Sequence, residues 1–256
     1  MSCPSRLLLL SPGRTGSQAL SSILAQLSPL AGVAVRHEHP LARTLIPLAH
    51  LHPPTAQRLA LRLVFPASED VLQQIRVDPL LSHCAADPLA RCADRVVFIT
   101  RQPSTWVESL ARKIRHQKLY PLIRTLPLLR PPAPPSLVRA LHQALPDESP
   151  YLLRLLAAYV ALHQTIAALQ LDLPILQLRY EQLFSDQGSS QWKKAWQSLW
   201  GVLAWPEPVP FCQLSQLQQR RHNAAPVGLR RSLRDPVGVD AAVEHLIHAA
   251  TFGGHA

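Results

Sequence analysis

The stretch RLLLLSPGRTGSQALSSILAQL, residues 6–27, decides the fold. Four consecutive leucines between a basic start and Ser11-Pro12-Gly13 are too short to cross a bilayer and read as a buried strand. After the turn, Ala19, Leu20, Ile23, Leu24 and Leu27 recur at helical spacing, so the order is strand, tight loop, helix. The loop carries Gly13, Arg14, Thr15, Gly16 and Ser17, with Gln18 next. Two glycines ahead of a helix N-terminus leave backbone N–H groups unpaired in the positive field of the helix dipole, which suits a phosphate. Arg14, Thr15 and Ser17 add one charge and two hydroxyls. The alternative is an ordinary strand-to-helix turn.

In a GxxxxGK[ST] loop a lysine follows the second glycine and the next hydroxyl holds Mg²⁺, whereas Gly16 is followed by Ser17 and Gln18. The main metal and γ-phosphate ligands of a kinase or ATPase loop are therefore missing.

Composition bounds the rest. A chain of 256 residues that is 47% hydrophobic and 16% charged reads as globular and long enough for one α/β domain with a sizeable core. The formal charge of +10 and pI near 10.2 call for anionic partners. Aromatics make up only 5% and no basic run is interleaved with them, which argues against a nucleic-acid platform. Cys3, Cys84, Cys92 and Cys212 form no CxxC pair and no signal peptide is evident. They read as reduced thiols in a cytoplasmic protein, with no metal site expected. The apolar stretch 151–171 contains Arg154, His163, Gln164 and Thr165 and reads as a core helix, not a membrane span.

A second informative stretch is DRVVFITRQPSTWVESLARKIRHQK, residues 94–118. Val96 to Ile99 is a continuous run typical of a strand covered on both faces, ending at Thr100-Arg101. Thr105 and Glu108 have capping-box spacing, and a basic helix is expected over 109–118. Arg101 at the strand end and Ser109 in the helix then converge on one anion.

The two stretches resemble the sulfotransferases. Gly13-Arg14-Thr15-Gly16-Ser17 matches that family's 5′-phosphosulfate loop, [PG]-[RK]-[ST]-G-[ST], and Arg101, Pro103 and Ser109 match its 3′-phosphate motif, R-D-P-x-x-x-x-x-S, with Gln102 in place of the aspartate. The late segment Arg179-Tyr180-Glu181-Gln182-Leu183 is similar to the family's R-Y-E-D-L, and its role reads as orienting neighbouring loops. The resemblance implies an α/β fold with a mostly parallel central sheet flanked by helices, a P-loop-like three-layer sandwich. It also implies 3′-phosphoadenosine 5′-phosphosulfate (PAPS) as sulfuryl donor, metal-independent in-line transfer to a hydroxyl or amine, and a small-molecule, carbohydrate or lipid acceptor. Residues 13–18, with Arg101 and Ser109, would hold the nucleotide, and Arg14 would also act in catalysis.

Val33 to Val35 reads as a second strand that delivers His37, Glu38 and His39 to the ligand crevice. Glu38 is the first choice of base by the resemblance and His37 the second; the alternative is a solvated loop. A third strand is expected at 59–65 (LALRLVF) and a helix at 68–75. Residues 120–150 hold eight prolines and read as an extended insertion around one short helix, able to cap an acceptor pocket. Residues 174–178 read as a further strand. Trp192, Trp196 and Trp200 recur every four residues, which means either a buried helix face or a platform for a sugar. The expected organisation is one sulfotransferase-like domain over 1–205, with a basic segment over 206–256 packing on or extending it. In that segment Arg230 and Arg231 are further candidates for the 3′-phosphate. Competing readings are a P-loop kinase-like phosphotransferase, which would need ATP and Mg²⁺, and a non-catalytic anion- or nucleotide-binding protein.

Overall fold

The computed structural model describes residues 6–27, 32–38, 41–64, 72–79, 81–116, 132–170, 172–185, 187–205, 210–219 and 233–252. Five strands, β1 (Arg6–Leu10), β2 (Val33–His37), β3 (Gln73–Val77), β4 (Arg95–Thr100) and β5 (Ile175–Arg179), pair in the order β2-β3-β1-β4-β5, all parallel. The described helices are α1 (Ser17–Leu27), α2 (Ala42–Leu51), α3 (Pro53–Val64), α4 (Leu81–Arg91), α5 (Pro103–His116) and α6 (Pro135–Ala144). They continue with α7 (Pro150–Leu169), α8 (Tyr180–Phe184), α9 (Ser190–Leu203), α10 (Phe211–Gln219) and α11 (Pro236–Phe252).

The leucine run explains the layering. Successive strand residues point to opposite faces, so Leu7 and Leu9 join the cluster formed with α1 and α9, while Leu8 and Leu10 join the one formed with α3, α4 and α7. A helical layer on each face of a parallel sheet is the α/β sandwich expected from the sequence. A third cluster, containing Trp106, Leu156, Tyr159, Val239 and Val243, knits α5, α6, α7 and α11 together. Among the described residues α7 is the one helix long and apolar enough to cross a membrane, and here it is packed against α4, α5, α6 and α11. Cys84, Cys92 and Cys212 are free thiols, and burial pushes that of Cys84 up to about 12.

From β1 the chain crosses over the α1 face to β2, two strands away, and the next connections run along the opposite face. Adjacent connections therefore part beyond the carboxyl end of β1, which opens a crevice at the glycine loop.

Two elements differ from expectation. Residues 59–64 are helical, not a strand: α3 starts with a proline at its first position and buries Ala56, Ala60 and Val64 along one stripe. The third strand is QQIRV, where a helix had been expected over 68–75. All five of its residues are buried, and distant partners satisfy the side chain of Gln73, whereas Gln74 Oε1 is buried without a hydrogen bond. Gln73 donates through Nε2 to the Leu203 carbonyl at 3.2 Å and accepts from Trp205 Nε1 at 3.0 Å. The tryptophans of α9 are buried in the β1 core, so the sugar-platform alternative is excluded for them. Trp192 and Trp196 spend their indole N–H groups on Gln218 and the Leu183 carbonyl. Within the proline-rich segment α6 is the short helix expected, and residues 117–131 lie outside the described residues.

Candidate functional site

The glycine loop is held by side chains from three other elements. Gly13, Arg14 and Gly16 have φ of 78°, 55° and 73°, and this winding turns three successive carbonyls toward the protein. His83 Nε2 lies 3.1 Å from the Pro12 carbonyl, Trp106 Nε1 donates to the Gly13 carbonyl at 2.8 Å, and Arg101 Nη1 donates to the Arg14 carbonyl at 2.8 Å. Among the described residues the backbone N–H groups of Arg14, Thr15 and Gly16 meet no protein acceptor. Thr15 is fully buried and its hydroxyl oxygen has no partner either. Donors that the protein leaves unpaired in this way mark a place for an anion.

The second stretch meets the loop. Arg14 Nε donates to Ser109 Oγ at 3.3 Å, and the Arg101 guanidinium lies over the Tyr180 ring, 4.5 Å from its centroid, while its Nε donates to Thr105 Oγ1 at 3.2 Å. Backbone atoms fix the arginine's position: the Tyr159 hydroxyl donates to the Arg101 carbonyl, and Gln102 N–H donates to Glu181 Oε1 at 3.3 Å. Tyr180 and Glu181 thus orient the neighbouring loops, the role read for them in the sequence. Burial lowers the pKa of the Arg14 guanidinium, and the charges of Arg101 and Arg112 lower it further. Burial likewise lowers that of Arg101, with Tyr180 and Glu181 opposing and Arg112 adding to the effect. The site thus gathers the guanidiniums of Arg14, Arg101 and Arg112, whose mutual repulsion an anion would relieve.

The capping-box reading at Thr105 and Glu108 is corrected. Pro103 is the first helical residue, and Thr105 sits inside α5, where its hydroxyl donates to the Gln102 carbonyl at 3.0 Å.

At the end of β2, His37 Nε2 lies 3.1 Å from Ser17 Oγ. Burial lowers its pKa, with Glu38 opposing and Lys113 adding to the shift, so the imidazole is neutral at pH 7. His37 and Glu38 also line a cavity of about 180 Å³, together with Arg36, Arg76, Asp78 and Leu63. Gln18 is exposed on the first turn of α1, where its carbonyl accepts from the Ser21 hydroxyl at 3.0 Å. His39, Arg230 and Arg231 lie outside the described residues. Among the described residues no three His, Cys, Asp or Glu side chains gather as a metal-binding group.

No protein-family model matches the chain. No match to it is found among curated proteins. Function is therefore read from the geometry, which offers a cationic cleft with free amides beside a polar cavity and a neutral imidazole touching both. Sequence reasoning missed His83, Trp106, Tyr159 and Arg112. The first three act on backbone carbonyls from distant segments and leave no local signal, whereas Arg112 was readable as lying one helical turn after Ser109.

A half-buried histidine pair lies behind the loop. His163 packs on Tyr159 and Phe98 at ring-centroid distances of 4.4 and 4.9 Å, and burial with the nearby His83 pushes it down to about 3. Burial also lowers His83, with the Pro12 carbonyl opposing. Both are neutral when folded, but the unfolded chain binds their protons below about pH 6.5. Their contribution is therefore intact above that pH and is lost as pH falls toward the depressed folded values. The melting temperature is expected to drop between about pH 7 and pH 5, and His163→Phe to flatten part of the slope. An unchanged slope in that variant would remove His163 from the account.

Proposed function

We propose that the protein is a sulfotransferase that moves a sulfuryl group from PAPS to a hydroxyl or amine of a small-molecule, carbohydrate or lipid acceptor. The observation that carries this reading is the contact between the two motifs, in which Arg101 holds the Arg14 carbonyl and Arg14 reaches Ser109. PAPS supplies an activated sulfuryl group at the tip of its 5′-phosphosulfate, well separated from its 3′-phosphate, and the donors present fit both anionic ends. The N–H groups of residues 14–16, with the hydroxyls of Thr15 and Ser17, suit the 5′-phosphosulfate, while Arg101 and Ser109 suit the 3′-phosphate. Arg14, on the loop itself, would neutralise charge at the leaving oxygen.

A proton must leave the acceptor. Sequence resemblance favours Glu38 as base; the geometry favours His37, which touches the loop through Ser17 and lines the cavity at once. Its lowered pKa keeps the imidazole ready to accept at neutral pH. His37→Ala is expected to cut turnover by about 10²- to 10⁴-fold with little change in nucleotide affinity, and Glu38→Ala to do less. Full transfer by both variants to every acceptor tried would exclude the pair as base.

The donor is tested by thermal shift with PAP (the desulfated product), ADP and ATP, each with and without Mg²⁺. A metal-independent shift with PAP supports the proposal. An ATP shift that needs Mg²⁺ overturns it in favour of a kinase-like activity, and tight PAP binding with no turnover would favour a non-catalytic role.

A further inference from the structure

Arg101 is aimed by the start of α5, and that start lacks a cap of its own. Gln102 stands at the N-cap position, immediately before Pro103. Glutamine is not among the residues favoured there, because its amide sits one methylene too far out to fold back onto the first free N–H groups, as Asp, Asn or Ser does. Its side chain instead reaches α11, where Nε2 donates to Asp240 Oδ2 at 2.7 Å. Asp240 accepts from Ser104 N–H through Oδ1 at 2.7 Å and from Ser104 Oγ through Oδ2 at 2.8 Å. A carboxylate thus satisfies a free N–H group and sits in the positive end of the α5 dipole, although it comes from 136 residues further along the chain.

The element that presents it is held firmly. Buried Glu148, just ahead of α7, accepts from the N–H groups of Arg234 and Asp235 at 2.7 and 3.1 Å. Asp235 in turn accepts from Gly238 N–H at 2.9 Å, and Val239 and Val243 are fully buried in the cluster that contains Trp106. Asp240 is therefore fixed from both sides of its helix.

We infer that Asp240 is a positioning residue for the anion site: from the C-terminal helix it supplies the cap that position 102 lacks, and so fixes the backbone that aims Arg101 at the glycine loop. The inference rests on the nucleotide reading above. It makes the donor site dependent on α11, which lies outside both motifs in the sequence.

The test is a two-residue cycle read by melting temperature and by calorimetric titration with PAP and with AMP, which lacks the 3′-phosphate. Asp240→Ala should lower the melting temperature by about 3 °C. It should weaken PAP about tenfold and AMP much less. Gln102→Asp provides a local cap but, in the wild-type background, sets a second carboxylate against Asp240. It should therefore lower stability and PAP affinity in the wild type and restore both in Asp240→Ala. A merely structural Asp240 gives the reversal in stability without the larger loss for PAP than for AMP. If Asp240→Ala does not fold, Asp240→Asn, which keeps one acceptor oxygen, takes its place in the cycle with the same expected reversal. The inference is overturned if PAP and AMP weaken alike, or if Gln102→Asp is harmful in both backgrounds. A wild type that binds PAP beside an Asp240→Ala protein of equal affinity overturns this inference alone. A wild type that binds neither nucleotide overturns the functional reading and this inference together.

Discussion

Gly16→Ala is expected to destabilise the fold by about 2–5 kcal/mol and to abolish the proposed nucleotide binding. Two costs add. The backbone at φ 73° is left-handed, which an L-residue adopts at a cost of about 1–2 kcal/mol. The new methyl would also lie 2.8 Å from a Phe184 ring carbon and 2.9 Å from a Tyr180 ring carbon. Those rings have little room to yield: they pack on each other at 5.1 Å between centroids, and Phe184 abuts Trp196 in the core. Overpacking of this kind costs about 1–3 kcal/mol. Any retreat of Tyr180 moves the ring on which Arg101 rests, so the proposed phosphate site is expected to fail with the fold. Gly188→Ala is the control, since φ there is 88° but no atom lies within 4 Å of the added carbon. Chemical denaturation of the two variants should show Gly16→Ala well below Gly188→Ala, and equal losses would rule out the close approach as the cause.

Arg101→Ala is expected to weaken PAP binding by about 100-fold or more, because hydrogen bonds to a charged group contribute about 1.5–3 kcal/mol each. The arginine acts twice. It holds the Arg14 carbonyl that gives the loop its winding, and in the proposed complex its remaining donors face the 3′-phosphate. Arg101→Lys should recover only part of the loss, since one ammonium cannot serve the Arg14 carbonyl, Thr105 and an anion in the planar fork that a guanidinium provides. Titration calorimetry reads both variants, and an alanine variant within a few-fold of wild type would end the assignment of this residue.

Legibility in the sequence followed the range of the interactions. The strand, loop and helix over residues 6–27 were readable because their signals are local: an apolar run, glycines at the turn, then helical spacing. The β4 strand and the spacing from Arg101 to Ser109 were readable for the same reason, and the apolar stripe of α9 proved to be core. QQIRV was not readable, since a polar strand is acceptable in the interior only through partners such as Leu203 and Trp205, far away in sequence. LALRLVF misled because a short apolar run fits either period, and the proline that opens α3 lies outside that window. At α5 the proline was the true start signal, and the Thr105–Glu108 spacing was incidental. In the candidate site the side chains that carry charge were visible by motif. Those that hold the backbone, His83, Trp106, Tyr159 and Asp240, come from segments brought together only by folding.

Arg14 keeps its backbone at φ 55°, a conformation that glycine adopts without penalty. Drift toward a more comfortable fold would exchange that arginine for glycine, while Gly16 would be retained for its backbone and its packing whatever the loop binds. Across descendants of this chain, glycine at 16 would then track survival of the architecture, and arginine at 14 would mark copies that keep the proposed anion site.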